Sequence, residues 1–430
     1  MAAEHYRDGR GKSVSTAITS DVFSPGRLGS LEVKNRVLRA GCYEGLAREG
    51  TISDALLEHH RRLAAGGIAM TTLGYCAVSF DGRGFAHELW ARSELESPLR
   101  SFVDAVHAGG AAASIQLVHC GFFSNPGVIG RRPLGASPKL CIYRGAICME
   151  MTEAEIEEKT ADFARAALLA KRSGFDAVEL HAGHGYLLSQ FLSPWTNRRH
   201  DRFGGSIGNR VRFPADVVRR VRDAVGPDFP VLVKMNHSDG FRDGLVVEEG
   251  TEAARAFERS GASALIPSCG FTARTPLYMM RGRLPVREMA ANQPNIVLQA
   301  GTHLFARFFA QRYPFVPLFQ IEEARRIRDA VGIPVIYVGG VLSLRDMEQV
   351  LCEGFPFVQI GRPAVRDPDF VRRLRAGEIT ESDCDQCNRC IAAMDGDGVS
   401  CVSAARGLLP RDPWPQMPRC HGGVRGAAEP

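Results

Sequence analysis

The 430-residue chain carries 53 Lys and Arg against 48 Asp and Glu, a net charge of +5, with 45% hydrophobic and 23% charged residues. Those proportions belong to a folded globular protein and exclude a largely disordered chain. The charge excess is spread along the sequence without a Lys/Arg block, which argues against nucleic acid or an anionic membrane as the main partner. The longest stretch free of Asp, Glu, Lys and Arg, residues 105–130, is broken by His107, His119, Asn125, Pro126 and several glycines, too polar to cross a bilayer. The N-terminus lacks the apolar core of a signal peptide. A cytoplasmic protein is therefore expected, in which a cluster of the 12 cysteines reads as metal-binding or redox chemistry rather than as disulfides.

Residues 1–22 read as a flexible tail. From residue 23 a unit repeats: a short apolar strand, a loop, an amphipathic helix, a glycine. Strands are expected at RVLRAG (36–41), IAMTTLG (68–74), AASIQL (112–117), DAVELH (176–181), PVLVKMN (230–236), SALIPS (263–268), PVIYVGG (334–340) and PFVQIG (356–361). Most are short and apolar throughout, as in strands buried on both faces of a parallel sheet. The helices between them are expected to close at Gly66, Gly109, Gly174, Gly226, Gly261, Gly332, Gly354 and Gly377, since glycine accepts the left-handed conformation that ends a helix. One helix start is explicit: Thr152 and Glu155 form a capping box. Eight strand–helix units predict an α/β protein, a (β/α)8 TIM barrel over residues 23–377. A doubly wound sheet competes, but no GxGxxG follows any strand. Residues 272–319 are too long for a plain connection and predict an excursion over one end of the barrel. Residues 378–430 form a short cysteine-rich C-terminal extension, and the closing GGVRGAAEP run reads as disordered.

In such barrels chemistry gathers where strands run into the loops that follow them. Cys42 follows the first strand, Gln116 ends the third, and His181 ends the fourth, with His184 and Tyr186 just beyond. Lys234 lies near the end of the fifth, Gly339 and Gly340 close the seventh, and Gly361 and Arg362 follow the eighth. The last four suit a phosphate, because this fold binds anions on a glycine turn and a helix N-terminus there; the alternative is a tight turn. His181 and His184 can direct two N–H donors at one carbonyl oxygen, and Tyr186 can deliver a proton; the alternative is a structural pair. Lys234 requires an anionic partner, with Asp239 the candidate close in sequence.

Together these residues resemble the Old Yellow Enzyme family of flavin-dependent ene-reductases. The run HAGHGYLLSQFLSPWTNRRHDRFGGSIGNRVRF (181–213) carries most of the likeness, joined by LEVKNRV (31–37), IQLVHCG (115–121), KMNHSDG (234–240), PVIYVGG (334–340) and IGRPAVRDPDF (360–370). The resemblance implies FMN in the barrel mouth and NAD(P)H as reductant. It implies that Gln116 holds the pyrimidine edge and that Lys234, where the family more often has arginine, lies near N1 and O2. Gly339, Gly340, Gly361 and Arg362 would hold the phosphate. His181 and His184 would bind the carbonyl oxygen of an α,β-unsaturated carbonyl substrate, flavin N5 would deliver hydride to its β-carbon, and Tyr186 would protonate its α-carbon. Cys42 falls near the flavin-facing position that carries Thr or Cys in relatives, after a loop one residue shorter than usual. Phe122 stands where the family has arginine.

Cys384, Cys387, Cys390 and Cys401 read C-x2-C-x2-C-x10-C, a spacing that suits a metal centre, either a [4Fe–4S] cluster or zinc; the alternative is a tail that holds no metal. A similar CxxCNxC…C run holds a [4Fe–4S] cluster in the subgroup that includes trimethylamine dehydrogenase and 2,4-dienoyl-CoA reductase, and Asn388 matches it. The 29 residues after Cys401 are too few for those relatives' second domain, so a cluster here is expected to need an external electron partner or to be vestigial or structural. The expected function is hydride transfer from NAD(P)H through FMN to an activated alkene. Alternatives are an FMN/iron–sulfur dehydrogenase of a small amine passing electrons to a partner protein, and a non-catalytic redox sensor. Residues 119–148 and 272–319 are expected to line the pocket. A homo-oligomer is compatible with the sequence, which does not set the oligomeric state.

Overall fold

The computed structural model describes residues 22–402 apart from 293–295, 309–310, 395 and 397; the 1–21 part of the expected tail and the closing GGVRGAAEP run lie outside the described residues. Eight strands form the barrel: β1 (Val37–Arg39), β2 (Met70–Ala77), β3 (Ala112–Val118), β4 (Ala177–Ala182), β5 (Val231–Ser238), β6 (Ala264–Cys269), β7 (Ile336–Val338) and β8 (Phe357–Ile360). Their order is β6-β5-β4-β3-β2-β1-β8-β7, parallel throughout. A parallel bridge between Leu265 and Val335, with the Leu265 N–H donating to the Pro334 carbonyl at 3.0 Å, joins β6 to β7 and closes the ring. The TIM barrel is thus formed, and the open sheet is excluded because no edge between β6 and β7 remains. No helix among the described residues is long and apolar enough to cross a membrane.

Strand lengths depart from expectation for identifiable reasons. β2 runs on to Ala77 because Leu89–Trp90 pairs with Cys76 and Ala77. β7 stops at Val338 because Gly339 and Gly340 take φ of +125° and +71°. Several helices do end where glycine was expected, but at Gly66–Gly67 and Gly109–Gly110 the second glycine carries the positive φ. Gly332 closes nothing, since the preceding helix Ile321–Arg328 ends at Asp329. The capping box at Thr152 and Glu155 is present, opening the helix Glu153–Arg172.

Alternation along each strand divides the core. Outward residues of β5, Val231, Val233 and Met235, join the layer between barrel and helices. Inside, Leu38, Met70, Ala177, Leu232, Ile266 and Phe357 fill the lower barrel. An antiparallel hairpin, Gly26–Leu28 with Leu31–Val33, places Leu28 and Val33 beneath them and seals that end. A ligand must therefore enter from the opposite mouth. The 272–319 excursion folds into helices Pro276–Met280, Val286–Ala291 and Ile296–Phe308. The extension lies back over the same mouth: the Arg283 N–H donates to the Gln386 carbonyl at 3.1 Å and the Val399 N–H to the Glu44 carbonyl at 2.6 Å.

Candidate active site

Above the apolar layer, the inward positions turn polar. Glu179, inward on β4 and fully buried, is the centre of this layer. Its carboxylate accepts from the Lys234 ammonium at 2.8 Å, from Gln359 Nε2 at 3.1 Å and from Gln116 Nε2. The partner of Lys234 is thus Glu179, not Asp239. Asp239 instead accepts from Asn236 Nδ2 at 2.9 Å and the Leu245 N–H at 2.8 Å, and burial pushes its carboxyl up to about 6. Sequence reasoning passed over Glu179, although one carboxylate inside the apolar strand DAVELH was the available signal. With their amide nitrogens committed to Glu179, Gln116 Oε1 and Gln359 Oε1 remain buried without a partner, as does Thr72 Oγ1. Such orphans are rare in folded proteins and mark a place for a ligand donor.

His181, His184 and Tyr186 stand on this layer. The His184 backbone takes a φ of 58°, and its N–H donates to Asn236 Oδ1 at 2.9 Å. Thr272 pins the same residue by donating its N–H and its hydroxyl, both at 2.9 Å, to the His184 carbonyl. The ring tautomers follow from the bonds. His181 Nδ1 accepts from the Gly183 N–H at 3.3 Å, so its proton sits on Nε2, facing His184 Nδ1 at 3.3 Å. His184 then carries its proton on Nε2, 2.8 Å from Ser268 Oγ. The rings are joined in series rather than converging on one point, and the long 3.3 Å contact is the one a ligand oxygen can replace. Burial, with Lys234 behind, pushes His184 down to about 3; burial and His184 also lower His181 well below the ordinary imidazole range. Both rings are therefore neutral donors at ordinary pH. Replacing both with Ala should weaken binding of a phenol, whose oxygen mimics a substrate carbonyl, by about 10-fold or more, the scale of two hydrogen bonds. Wild-type affinity should stay flat from pH 8 down to pH 5, because protonation of the pair begins only near the depressed value. Unchanged titrations in the variant, or an affinity that falls near pH 6.5, would sink the oxyanion assignment.

Tyr186 Oη lies 2.7 Å from Tyr75 Oη, and its ring centroid 4.8 Å from that of His181. Burial pushes both phenols up, so both hold their protons. Tyr75 escaped the sequence reading because its partner is 111 residues away. The walls are aromatic: Tyr43 stacks on Phe85 at 4.1 Å, and Phe123 lies 6.1 Å from Tyr186. Phe122 is buried between Trp195 and Phe271 at 6.2 and 6.1 Å, a packing role that needs no arginine. Cys42 is half-buried beside β2; its Sγ accepts from Arg39 Nη2 at 3.4 Å, and burial pushes the thiol up. Arg39 is itself paired with the buried Glu44 at 2.5 Å, which His60 also contacts at 3.0 Å.

The four glycine-turn residues divide in two. Gly361 opens on free space at the end of β8, where a Cβ would meet no atom within 4 Å, whereas Gly339 and Gly340, at positive φ after β7, pack against Gln320 and Leu318. Arg362 turns toward the extension, donating Nη1 to the Arg281 carbonyl at 2.8 Å and to Asn388 Oδ1 at 2.6 Å. Cys384, Cys387, Cys390 and Cys401 line a single cavity together with Arg362 and Arg366. Among the described residues, Glu44, His59 and His60 bring three candidate metal ligands within 4.8 Å of one another.

Residues 21–268 match the model of the NADH:flavin oxidoreductase / NADH oxidase family. The chain belongs to that family. A 4,4'-dithiodibutanoate disulfide reductase of Rhodococcus erythropolis is 37% identical over 90% of this chain and 96% of that protein. An NADH oxidase of Thermoanaerobacter brockii is 32% identical over 86% of this chain but only 53% of its own length, so the chain spans about half of that relative. Among solved structures, a 2-naphthoyl-CoA reductase complex superposes with a TM-score of 0.75 at 24% identity, over 89% of this chain and 56% of that one. An old yellow enzyme homologue from Zymomonas mobilis does so with 0.67 at 22% identity, over 85% and 96%. At those identities the structures speak for the barrel, and the family for the chemistry. This member of the Old Yellow Enzyme family is an FMN-dependent NAD(P)H oxidoreductase.

The residues present fit FMN. An orphaned Gln116 acceptor suits an imide N–H, the Lys234 ammonium suits an electron-rich ring edge, and the open backbone at Gly361 suits a phosphate. Four thiols around one cavity beside two arginines also fit a metal centre.

Proposed function

We propose that this family member reduces an activated alkene, binding an α,β-unsaturated carbonyl compound on His181 and His184 with Tyr186 as the acid. The observation that carries the reading is the neutral imidazole pair beside a protonated tyrosine pair, in the mouth of a barrel sealed at its other end. FMN supplies the hydride, replenished by NAD(P)H. His181 donates its Nε2–H to the carbonyl oxygen, and His184 joins it when its proton moves to Nδ1 while its Nε2 accepts from the Ser268 hydroxyl, so that two N–H groups stabilise the charge that develops there. Tyr186 gives its proton to the α-carbon, and Tyr75 holds the phenol oxygen in place as charge develops on it. The aromatic walls exclude water from the exchange. Gln116, Lys234, Gly339, Gly340, Gly361 and Cys42 are the residues we assign to the cofactor, with Arg362 linking the phosphate end to the extension. Cys384, Cys387, Cys390 and Cys401 are assigned to a [4Fe–4S] cluster.

An anaerobic absorption spectrum tests the reading. The flavin bands should bleach with NADPH and return when cyclohexenone is added; bleaching without return would overturn it. A second reading is favoured by the 37% identical disulfide reductase: reduction of an organic disulfide to two thiols, taking the same two electrons and two protons. Return of the bands with 4,4'-dithiodibutanoate but not with the enone would select it. Cys387→Ser should remove iron from the protein while leaving FMN at full stoichiometry. Iron retained by the variant, or zinc in the wild type, would count against the cluster.

A further inference from the structure

Two cations from different loops meet over one tryptophan at the rim of the mouth, and a third acts on them from the loop that carries it. Lys139, on the loop after β3, places Nζ 4.0 Å from the centre of the Trp195 ring and donates to the Trp195 carbonyl at 3.1 Å. Arg274, on the loop after β6, lies over the same ring at 5.1 Å and over Phe241 at 4.2 Å. Arg198 follows Trp195 on the loop after β4, its backbone N–H held by Ser137 Oγ at 2.9 Å. None of the three forms an ion pair with a carboxylate among the described residues. Burial and the repulsion of the two arginines lower the pKa of the half-buried Lys139, against a smaller opposing effect of the Cys148 thiol. Arg198 and Arg274 are exposed and Lys139 half-buried, so their mutual repulsion is partly screened, and an anion seated among them would be attracted by all three.

The rim is joined to the reacting groups. Phe271 lies 5.3 Å from Trp195, and its ring edge presses on Gly185, between His184 and Tyr186. Thr272, which pins His184, is two residues from Arg274. We infer that Lys139, Arg198 and Arg274 form a subsite for an anionic oxygen group, carboxylate or phosphate, carried by the substrate about one aromatic layer from its reacting carbons. The substrate class is then an anionic one, with an apolar segment lying along Phe271 and Trp195. This inference rests on the reading of the mouth as the substrate site, and it concerns binding rather than turnover.

The test is a flavin-perturbation titration of the oxidised holoenzyme with 3-(4-hydroxyphenyl)propanoate, its methyl ester and 2-(4-hydroxyphenyl)ethyl phosphate. The acid should bind about 10-fold or more tightly than the ester, the scale of charge-assisted hydrogen bonds. That preference should shrink at high salt and vanish in the Lys139→Gln/Arg274→Gln variant. The tighter of the two anions names the group the site prefers. Equal affinity for acid and ester, no binding by either, or a preference that the double variant retains would overturn the subsite. If the acid is preferred but no enone re-oxidises the flavin, the subsite stands and the ene-reductase reading falls. Reduction of enones without any anion preference gives the converse.

Discussion

Tyr186→Phe should slow re-oxidation of the flavin by an enone about 10²-fold or more, the usual size of a lost general acid, while reduction by NAD(P)H keeps its rate. The argument rests on position and protonation. The phenol stands beside His181, burial keeps its proton in place, and Tyr75 is within 2.7 Å. Nicotinamide oxidation releases hydride without needing that proton, so the two half-reactions should separate. Tyr75→Phe should have a smaller effect in the same direction, because it removes a hydrogen bond to the acid rather than the acid. Stopped-flow measurement of both half-reactions checks the pair. Slowed reduction with normal re-oxidation would assign Tyr186 to nicotinamide binding instead.

Glu179→Ala should cost the apoprotein about 3–5 kcal/mol, the range for leaving a buried charge without its partner. Lys234 is buried, its ion pair is Glu179, and two glutamine amides lose their acceptor in the same step. The double variant Glu179→Ala/Lys234→Met should recover a large part of the loss, since the stranded charge is gone. FMN should dissociate more readily from the single variant, because Gln116 Oε1 is aimed by the bond its Nε2 makes to Glu179. Denaturant unfolding and flavin release measure these effects. A single variant as stable as the wild type would show that water reaches Lys234.

Much of this could be read along the chain because it is local. The Thr152 capping box lies within one helical turn, and the short apolar runs announced eight buried strands near their observed places. The sequence by itself also determined the His181–Tyr186 loop and the cysteine spacing, since each is a run of neighbours whose chemistry is evident without their partners. The pairings across the barrel, by contrast, follow from how distant strands meet. Lys234 has an acid five positions on in sequence, yet Glu179 holds it, because β4 and β5 align His181 with Lys234 and turn both inward. The fold of the extension over the mouth brings Asn388 to Arg362, and separate loops bring Lys139 and Arg274 together over Trp195. Register and closure of the ring set those distances, and they are properties of strands paired far apart in sequence, on which local composition and spacing are silent.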